Sequence, residues 1–218
     1  MTATRLTAAG RRASILAAAK GVFARYGLEG ACTQQIARAA GVSEALLFRH
    51  FSSKTHIYRA VLRDVIVDQN RTFGVMATET SGTRGLLVMI EQLIDHAMQG
   101  SAASNAEGMR MVVGSLAGDG NYARLVYRRA LRLSRPQLER ALVAAQKDGG
   151  LPDVAMSPTN IIALLEHVGT MIMMARCHTP SVVAYDESAD RLRTDAILFC
   201  ARGLGISREV VSAFLRRG

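Results

Sequence analysis

Apolar residues recur at helical spacing along almost the whole chain, with polar residues filling the positions between them. Ile15, Leu16, Ala19, Val22 and Phe23 form one stripe, and Arg11, Arg12, Lys20 and Arg25 surround the rest of a first helix that Gly27 ends. After a link over residues 28–32, Thr33 is a helix N-cap, and Ile36, Ala37 and Ala40 share the inward face of a second helix. Gly41 takes the left-handed conformation that turns the chain, Val42 fills the corner, and Ser43 caps a third helix. In that helix Leu47 and Phe51 point inward, which leaves Glu44, Ala45, Leu46, Phe48, Arg49 and His50 on or beside the exposed side. Residues 33–51 therefore read as a helix-turn-helix, whose second helix is the kind of element that the major groove of DNA admits. Ser52 and Ser53 offer caps for a fourth helix, in which Ile57, Val61 and Val65 lie beside the row Tyr58, Leu62 and Ile66. It runs to about Met76, long enough to leave a first domain and enter a second.

Beyond the turn at Thr80, Ser81 and Gly82, six further helices follow. Leu86, Leu87, Ile90, Leu93, Ile94 and Ala97 define the fifth, which stops near Gly100. The sixth, capped by Ser104 or Asn105, presents Met109, Val112, Val113 and Leu116 and closes at Gly118, Asp119 and Gly120. A long seventh, from about Asn121, carries Leu125, Val126, Leu133, Leu138, Leu142 and Val143, with a kink expected at Pro136. Ser157 and Pro158 cap and open an almost wholly apolar eighth helix to about Cys177, for which burial on most sides is expected. A ninth, from about Glu187, holds Leu192, Ala196, Leu198, Phe199 and Leu204, and a short tail helix starts at Ser207. No strand pattern, repeat or low-complexity linker competes, so the fold class is all-α.

Charge changes this picture by dividing it. Of the net +9 carried by 218 residues, the chain up to Arg63 holds ten Lys/Arg against two Asp/Glu, and the remainder is close to neutral. A polyanionic partner is thus expected for the first domain alone. The three cysteines, Cys32, Cys177 and Cys200, have neither disulfide nor zinc spacing and are expected to be buried or half-buried in a reducing cytoplasm. No signal peptide or spanning segment is seen; the most apolar stretch, 161–175, is interrupted by Glu166 and His167. Catalytic motifs such as G-x-S-x-G, H-E-x-x-H and the P-loop are absent, so no catalytic residue, metal site or cofactor is assigned. An enzyme without a recognisable motif and a DNA-binding architectural module whose second domain only pairs subunits are the rival readings.

The string Arg12, Ile15-Leu16, Ala18-Ala19, Phe23, Gly27, Ile36-Ala37, Ala40-Gly41-Val42-Ser43, Leu47, His50-Phe51 and Lys54 resembles the DNA-binding domain of the tetracycline-repressor (TetR) family of bacterial transcription regulators. The resemblance implies a three-helix DNA-binding domain over residues 1–53, followed over residues 54–218 by a larger helical ligand-binding and dimerisation domain. It also implies a homodimer, a double-stranded DNA operator and a small-molecule effector. Where the family usually has tyrosine this chain has Phe48, so a phenolic bond to phosphate is replaced by apolar contact. Among the DNA-binding candidates, Thr33, His50 and Lys54 suit phosphates, and Gln34, Glu44, Ala45, Leu46 and Arg49 suit base edges, with Ser43 and Phe48 beside them. Methionines along the second domain suit an adaptable apolar pocket. Its candidate lining is Met89, Leu93, His96, Met109, Val113, Tyr127, Glu166, His167 and Thr170, and the neighbouring pairs Asp95-His96 and Glu166-His167 raise the question of a shared site. The eighth and ninth helices would pair subunits through Ile161, Leu165, Val168, Ile172, Leu192 and Phe199.

Overall fold

The structure is a computed structural model and describes residues 6–75, 81–99, 103–118, 120–152, 156–178, 180–185 and 188–216. Met76, Thr80, Gly100, Asp119 and Glu187, where the sequence marks helix ends and turns, lie outside the described residues. Among those described, the chain forms helices and no strand. Its contacts gather into two compact units, residues 1–70 with 107–124 and residues 71–106 with 125–218.

The first unit opens with α1 (Ala8–Gly30), where the Thr7 hydroxyl accepts a bond from the Gly10 N–H at 3.1 Å. Gly27 breaks this helix with φ at 68°, a conformation that would strain any side chain, so the regular helix ends where the sequence places its end. Then come α2 (Thr33–Ala39), α3 (Glu44–His50) and α4 (Lys54–Val75). Ile15, Phe23, Ile36, Leu47, Phe51 and Ile57 are almost fully buried together, each contributing roughly 1.5–3 kcal/mol by leaving water. The Phe23 ring meets that of Tyr58 edge-on at 5.0 Å, joining α1 to α4. Because Ile57, Ala60, Val61 and Val65 are all core residues, the first unit does not stop at residue 53 but runs along α4. It also takes in residues of α6 (Ala103–Ala117) and the first turn of α7 (Asn121–Lys147). There the Ser115 hydroxyl accepts from the Tyr122 and Ala123 N–H groups, both at 3.1 Å, and so caps α7.

The face expected for α6 is rotated. Among its described residues Gly108, Met111, Val112 and Ser115 are buried, whereas Leu116 is 51% exposed and Met109 and Val113 are half-buried. Ser104 and Asn105, expected before this helix, fall inside it.

The second unit contains α5 (Gly82–Met98), the rest of α7, α8 (Pro158–Arg176), α9 (Ala189–Gly203) and α10 (Arg208–Leu215). Its core gathers Leu86, Ile90 and Ile94 from α5, Leu138 and Leu142 from α7, Ile161 and Ile172 from α8, and Ile197 and Ala201 from α9. Leu125, Leu133 and Val143 of the expected α7 stripe are instead exposed, and Ala130, Ala141 and Ala145 are buried. Pro136 lies inside α7 with an exposed side chain, on the side where water can satisfy the carbonyl that proline leaves without a donor. Ser157 caps α8 as expected, its hydroxyl accepting from the Asn160 N–H at 3.2 Å with Pro158 at the first position.

Two long-range polar ties complete this unit. The Asp148 carboxylate accepts from the Thr83 N–H at 2.9 Å, the Thr83 hydroxyl at 2.6 Å and the Gly150 N–H at 3.0 Å. These bonds hold the Asp148 carboxyl below its ordinary value, the Thr83 hydroxyl foremost, and fix the start of α5 to the end of α7. Arg193 of α9 donates to Asp95 through Nε and to Glu91 through Nη2, the latter at 2.7 Å, which clamps α9 to α5.

Candidate nucleic-acid interface and ligand cavity

The helix-turn-helix is built by local chemistry. At its corner Gly41 has φ at 63°, and the Val42 N–H bonds the Ala37 carbonyl at 3.0 Å, so the turn is closed by backbone groups around a residue without a side chain. The Ser43 hydroxyl accepts from the Leu46 N–H at 3.2 Å and starts α3. One cap differs from expectation: Cys32 is the N-cap of α2, and Thr33 is the first helical residue. The physical reason is the extended backbone at Cys32, whose N–H is taken by the Gln35 side chain at 2.9 Å. Cys32 is accordingly exposed, while Cys177 is half-buried and Cys200 is buried.

Displaced from capping, the Thr33 hydroxyl donates to the Glu44 carboxylate at 2.6 Å. That bond joins the N-terminus of α2 to the first turn of α3. Around it Gln34, Glu44, Ala45, Phe48 and Arg49 are exposed, with Phe48 at 47%, and Leu46 and His50 are half-buried. Residues 44 and 48, and likewise 45 and 49, lie one helical turn apart, so α3 presents acid, methyl, aromatic and guanidinium groups together. Lys54 behaves differently from a free phosphate ligand: its ammonium donates to the Ala31 carbonyl at 3.0 Å and the Glu29 carbonyl at 3.4 Å. It thereby pins the link before α2 to the start of α4. Arg12 lies 4.8 Å above the Phe51 ring, a cation–π contact between α1 and the end of α3 that no local pattern announces.

The second unit contains an apolar cavity of about 80 Å³. Leu86, Met89, Ile90 and Leu93 of α5 form one wall, and Leu133, Ser134, Gln137 and Leu138 of α7 another. Ile162, Leu165 and Glu166 of α8 and Leu204 complete it. Of the candidate lining, Met89, Leu93 and Glu166 are therefore together. His96, Tyr127, His167 and Thr170 belong to the same unit outside the wall, and Met109 and Val113 belong to the first unit. Burial pushes the Glu166 carboxyl up to about 7. Burial, and then the nearby Glu166 charge, also raise the Tyr127 phenol, whose ring meets His167 edge-on at 5.5 Å. His96 is lowered by burial. Asp95 is bound to Arg193, and of the two acid–histidine pairs only Glu166 lines the cavity; among the described residues no group of three His, Cys, Asp or Glu could hold a metal.

The residues expected to pair subunits divide sharply. Ile161 and Ile172 are core residues at 1% and 5% exposure, packed inside their own unit; apolar residues lie on most sides of α8, and periodicity alone does not say which stripe faces inward. Leu165, Val168 and Leu192 are half-buried, Leu165 against the cavity, while Phe199 is 69% exposed. The large exposed apolar side chains on α8 are Leu164 at 55% and Met171 at 51%, neither of which was expected to pair subunits. Among the described residues no helix is long and apolar enough to cross a membrane.

Residues 15–61 match the family model described as bacterial regulatory proteins, tetR family. The transcriptional activator FasR of Mycolicibacterium smegmatis is 38% identical over 96 residues, 41% of this chain and 43% of that one. The chain thus matches less than half the length of the curated relatives. A TetR-like transcriptional regulator from Rhodococcus sp. RHA1 superposes with a TM-score of 0.65 at 16% identity, over 92% of this chain and 99% of that one. The fatty acid degradation regulator FadR from Bacillus halodurans gives 0.60 at 18% identity, over 94% and 100%. Residues 15–61 thus carry the match to the tetR-family model, and the chain shares the fold of these solved regulators along nearly its whole length.

Proposed function

We propose that this protein binds a palindromic operator in duplex DNA as a homodimer, represses from it, and is released by a small apolar or amphipathic effector. The observation that carries the reading is the α2–α3 pair, with Gln34, Glu44, Ala45, Phe48 and Arg49 exposed around the Thr33–Glu44 bond in the basic part of the chain. In a major groove Gln34 can pair with adenine, Glu44 can accept from cytosine, Ala45, Leu46 and Phe48 can meet a thymine methyl, and Arg49 can take guanine or a phosphate. In this reading Thr33, Ser43 and His50 meet the DNA backbone, and Lys54 acts by holding the link that presents Thr33. Leu164, Met171 and Phe199 supply exposed apolar groups for subunit pairing, and a twofold protein matches a palindromic site. Among the similar proteins, AcnR is named a repressor and FasR an activator.

Footprinting of the DNA upstream of the gene tests this directly. The expected result is a roughly symmetric protected site whose affinity falls steeply with salt, as release of counterions from several phosphates requires. Equal affinity for random duplex refutes sequence-specific regulation. The effector part is supported by the cavity and requires reciprocity: a compound that weakens operator binding must itself bind more weakly when operator is present, by the same factor. A titration of one candidate with and without operator reads that factor, and equal affinities exclude the compound.

A further inference from the structure

We propose that the cavity of the second unit takes an amphipathic cation, with an apolar body among Leu86, Met89, Leu93 and Leu133 and a protonated amine or amidinium paired to the Glu166 carboxylate. This inference rests on the reading of the cavity as the effector site and adds the charge of the effector to it. The cavity wall is aliphatic apart from Ser134, Gln137 and Glu166. Serine and glutamine donate and accept alike, so they cannot select a sign of charge. Glu166 can. Among the described residues the cavity wall holds no guanidinium or ammonium: α5 contributes Leu86, Met89, Ile90 and Leu93, with His96 outside the wall, α7 has the Tyr127 phenol nearby, and α8 places His167 next in sequence, its ring edge-on to Tyr127. Arg193, the cation that ties α9 to this unit, is engaged by Asp95 and Glu91. An acid held in apolar surroundings without a counter-charge gains a charge-assisted hydrogen bond from a cationic ligand and repels an anionic one.

The cavity volume of about 80 Å³ is below the ~300–1,000 Å³ of ordinary ligand sites, so the apolar body must displace part of the wall. Met89, with its flexible unbranched side chain, and Leu133, already 39% exposed, are the groups able to move.

Octylammonium, octanol and octanoate share one apolar body and differ in the head, and serve as probes in calorimetric titrations of the full chain at pH 6 and pH 8. At pH 8 octylammonium is expected to bind roughly 10- to 100-fold more tightly than octanol. Its affinity should fall about tenfold from pH 8 to pH 6 as a carboxyl titrating near pH 7 takes up its proton, while that of octanol stays level. Glu166→Gln should erase both the preference and its pH dependence and leave octanol binding unchanged. A preference unaltered in Glu166→Gln, a pH-independent affinity for octylammonium, or octanoate as the tightest binder at pH 8 overturns the proposal. The pH comparison uses the unaltered protein and does not depend on how the variant folds. Operator release is measured separately by gel shift. If octanol and octylammonium bind alike and displace operator alike, the effector reading stands and the charge inference fails. If octylammonium binds with the expected preference yet leaves operator occupied, the charge inference stands and the effector reading fails.

Discussion

Glu166 should cost this protein stability wherever it is ionised, and the cost can be worked from its surroundings. Its carboxyl is pushed by burial from 4.5 to about 7, so the folded state holds a proton that the unfolded chain has already released. With more protons bound in the folded state, stability is complete below the unfolded value, falls as pH rises from about 4.5, and levels off above about 7. At 1.36 kcal/mol per unit, the total loss is roughly 3 kcal/mol. Glu166→Gln keeps the shape and removes the titration. The variant should therefore match the parent near pH 4.5 and exceed it by roughly 3 kcal/mol at pH 8, or about 6–12 °C in melting temperature for a chain of this size. Urea unfolding followed by circular dichroism at four or five pH values, with the two proteins side by side, gives the difference curve. A difference that stays flat between pH 5 and 8, or a glutamine variant less stable than the parent at pH 8, would show that the carboxyl is solvated or already paired.

Three other outcomes follow from the geometry. Lys54→Ala removes a charged donor from the Ala31 and Glu29 carbonyls; it should lower stability by roughly 1–3 kcal/mol and weaken operator and random DNA alike, read by urea unfolding and gel shift. Glu44→Ala frees the Thr33 hydroxyl and removes a negative charge from the DNA-facing surface, so affinity for random duplex should rise several-fold while the operator-to-random ratio falls, as competition gel shifts will measure. Leu164→Glu with Met171→Glu should weaken subunit pairing at least tenfold by light scattering and leave the fold intact, whereas Ile172→Asp, which places a charge in the core, should unfold the second unit. An unchanged dimer in the double variant would place the interface elsewhere.

What could be read from the sequence was whatever is decided within a few residues. Gly27 and Gly41 sit where only glycine is unstrained, and Ser43, Ser157 and Pro158 do at helix starts what their side chains favour. The misplaced cap at Thr33 shows the limit of that logic, since the Gln35 side chain satisfies the Cys32 N–H and moves the start of α2 by one residue. The ties of Asp148 to Thr83 and of Arg193 to Asp95 join residues far apart in the chain, and no periodicity carries that information. Periodicity also fails where apolar residues lie on most sides of a helix. In α8 it offered Ile161 and Ile172 as a subunit surface and passed over Leu164 and Met171, because all four are equally good hydrophobes and only tertiary packing sorts them. The cavity was half legible for a related reason: Met89, Leu93 and Glu166 stand out by chemistry, whereas Ser134 and Gln137 on α7 look like ordinary solvated positions.

Helix α8 thus serves three surroundings at once, with Ile161 and Ile172 in the core, Leu165 and Glu166 at the cavity, and Leu164 and Met171 facing outward. Glu166 is the one acid in that helix, and a neutral side chain of the same size would make a more stable core at pH 8. The desolvation of its carboxylate has two measurable consequences, the stability that glutamine restores and the affinity that a cation gains. They draw on a single free energy and cannot vary independently. A cation bound at Glu166 neutralises the charge that destabilises the fold, so it should stabilise the parent protein most above pH 7, where the carboxyl is ionised. In the glutamine variant that extra stabilisation has already been realised, and the same ligand should add only what its apolar body contributes. Non-additivity of substitution and ligand is therefore the signature of the pairing, whereas two independent, additive effects would mean that the cation binds somewhere other than at Glu166.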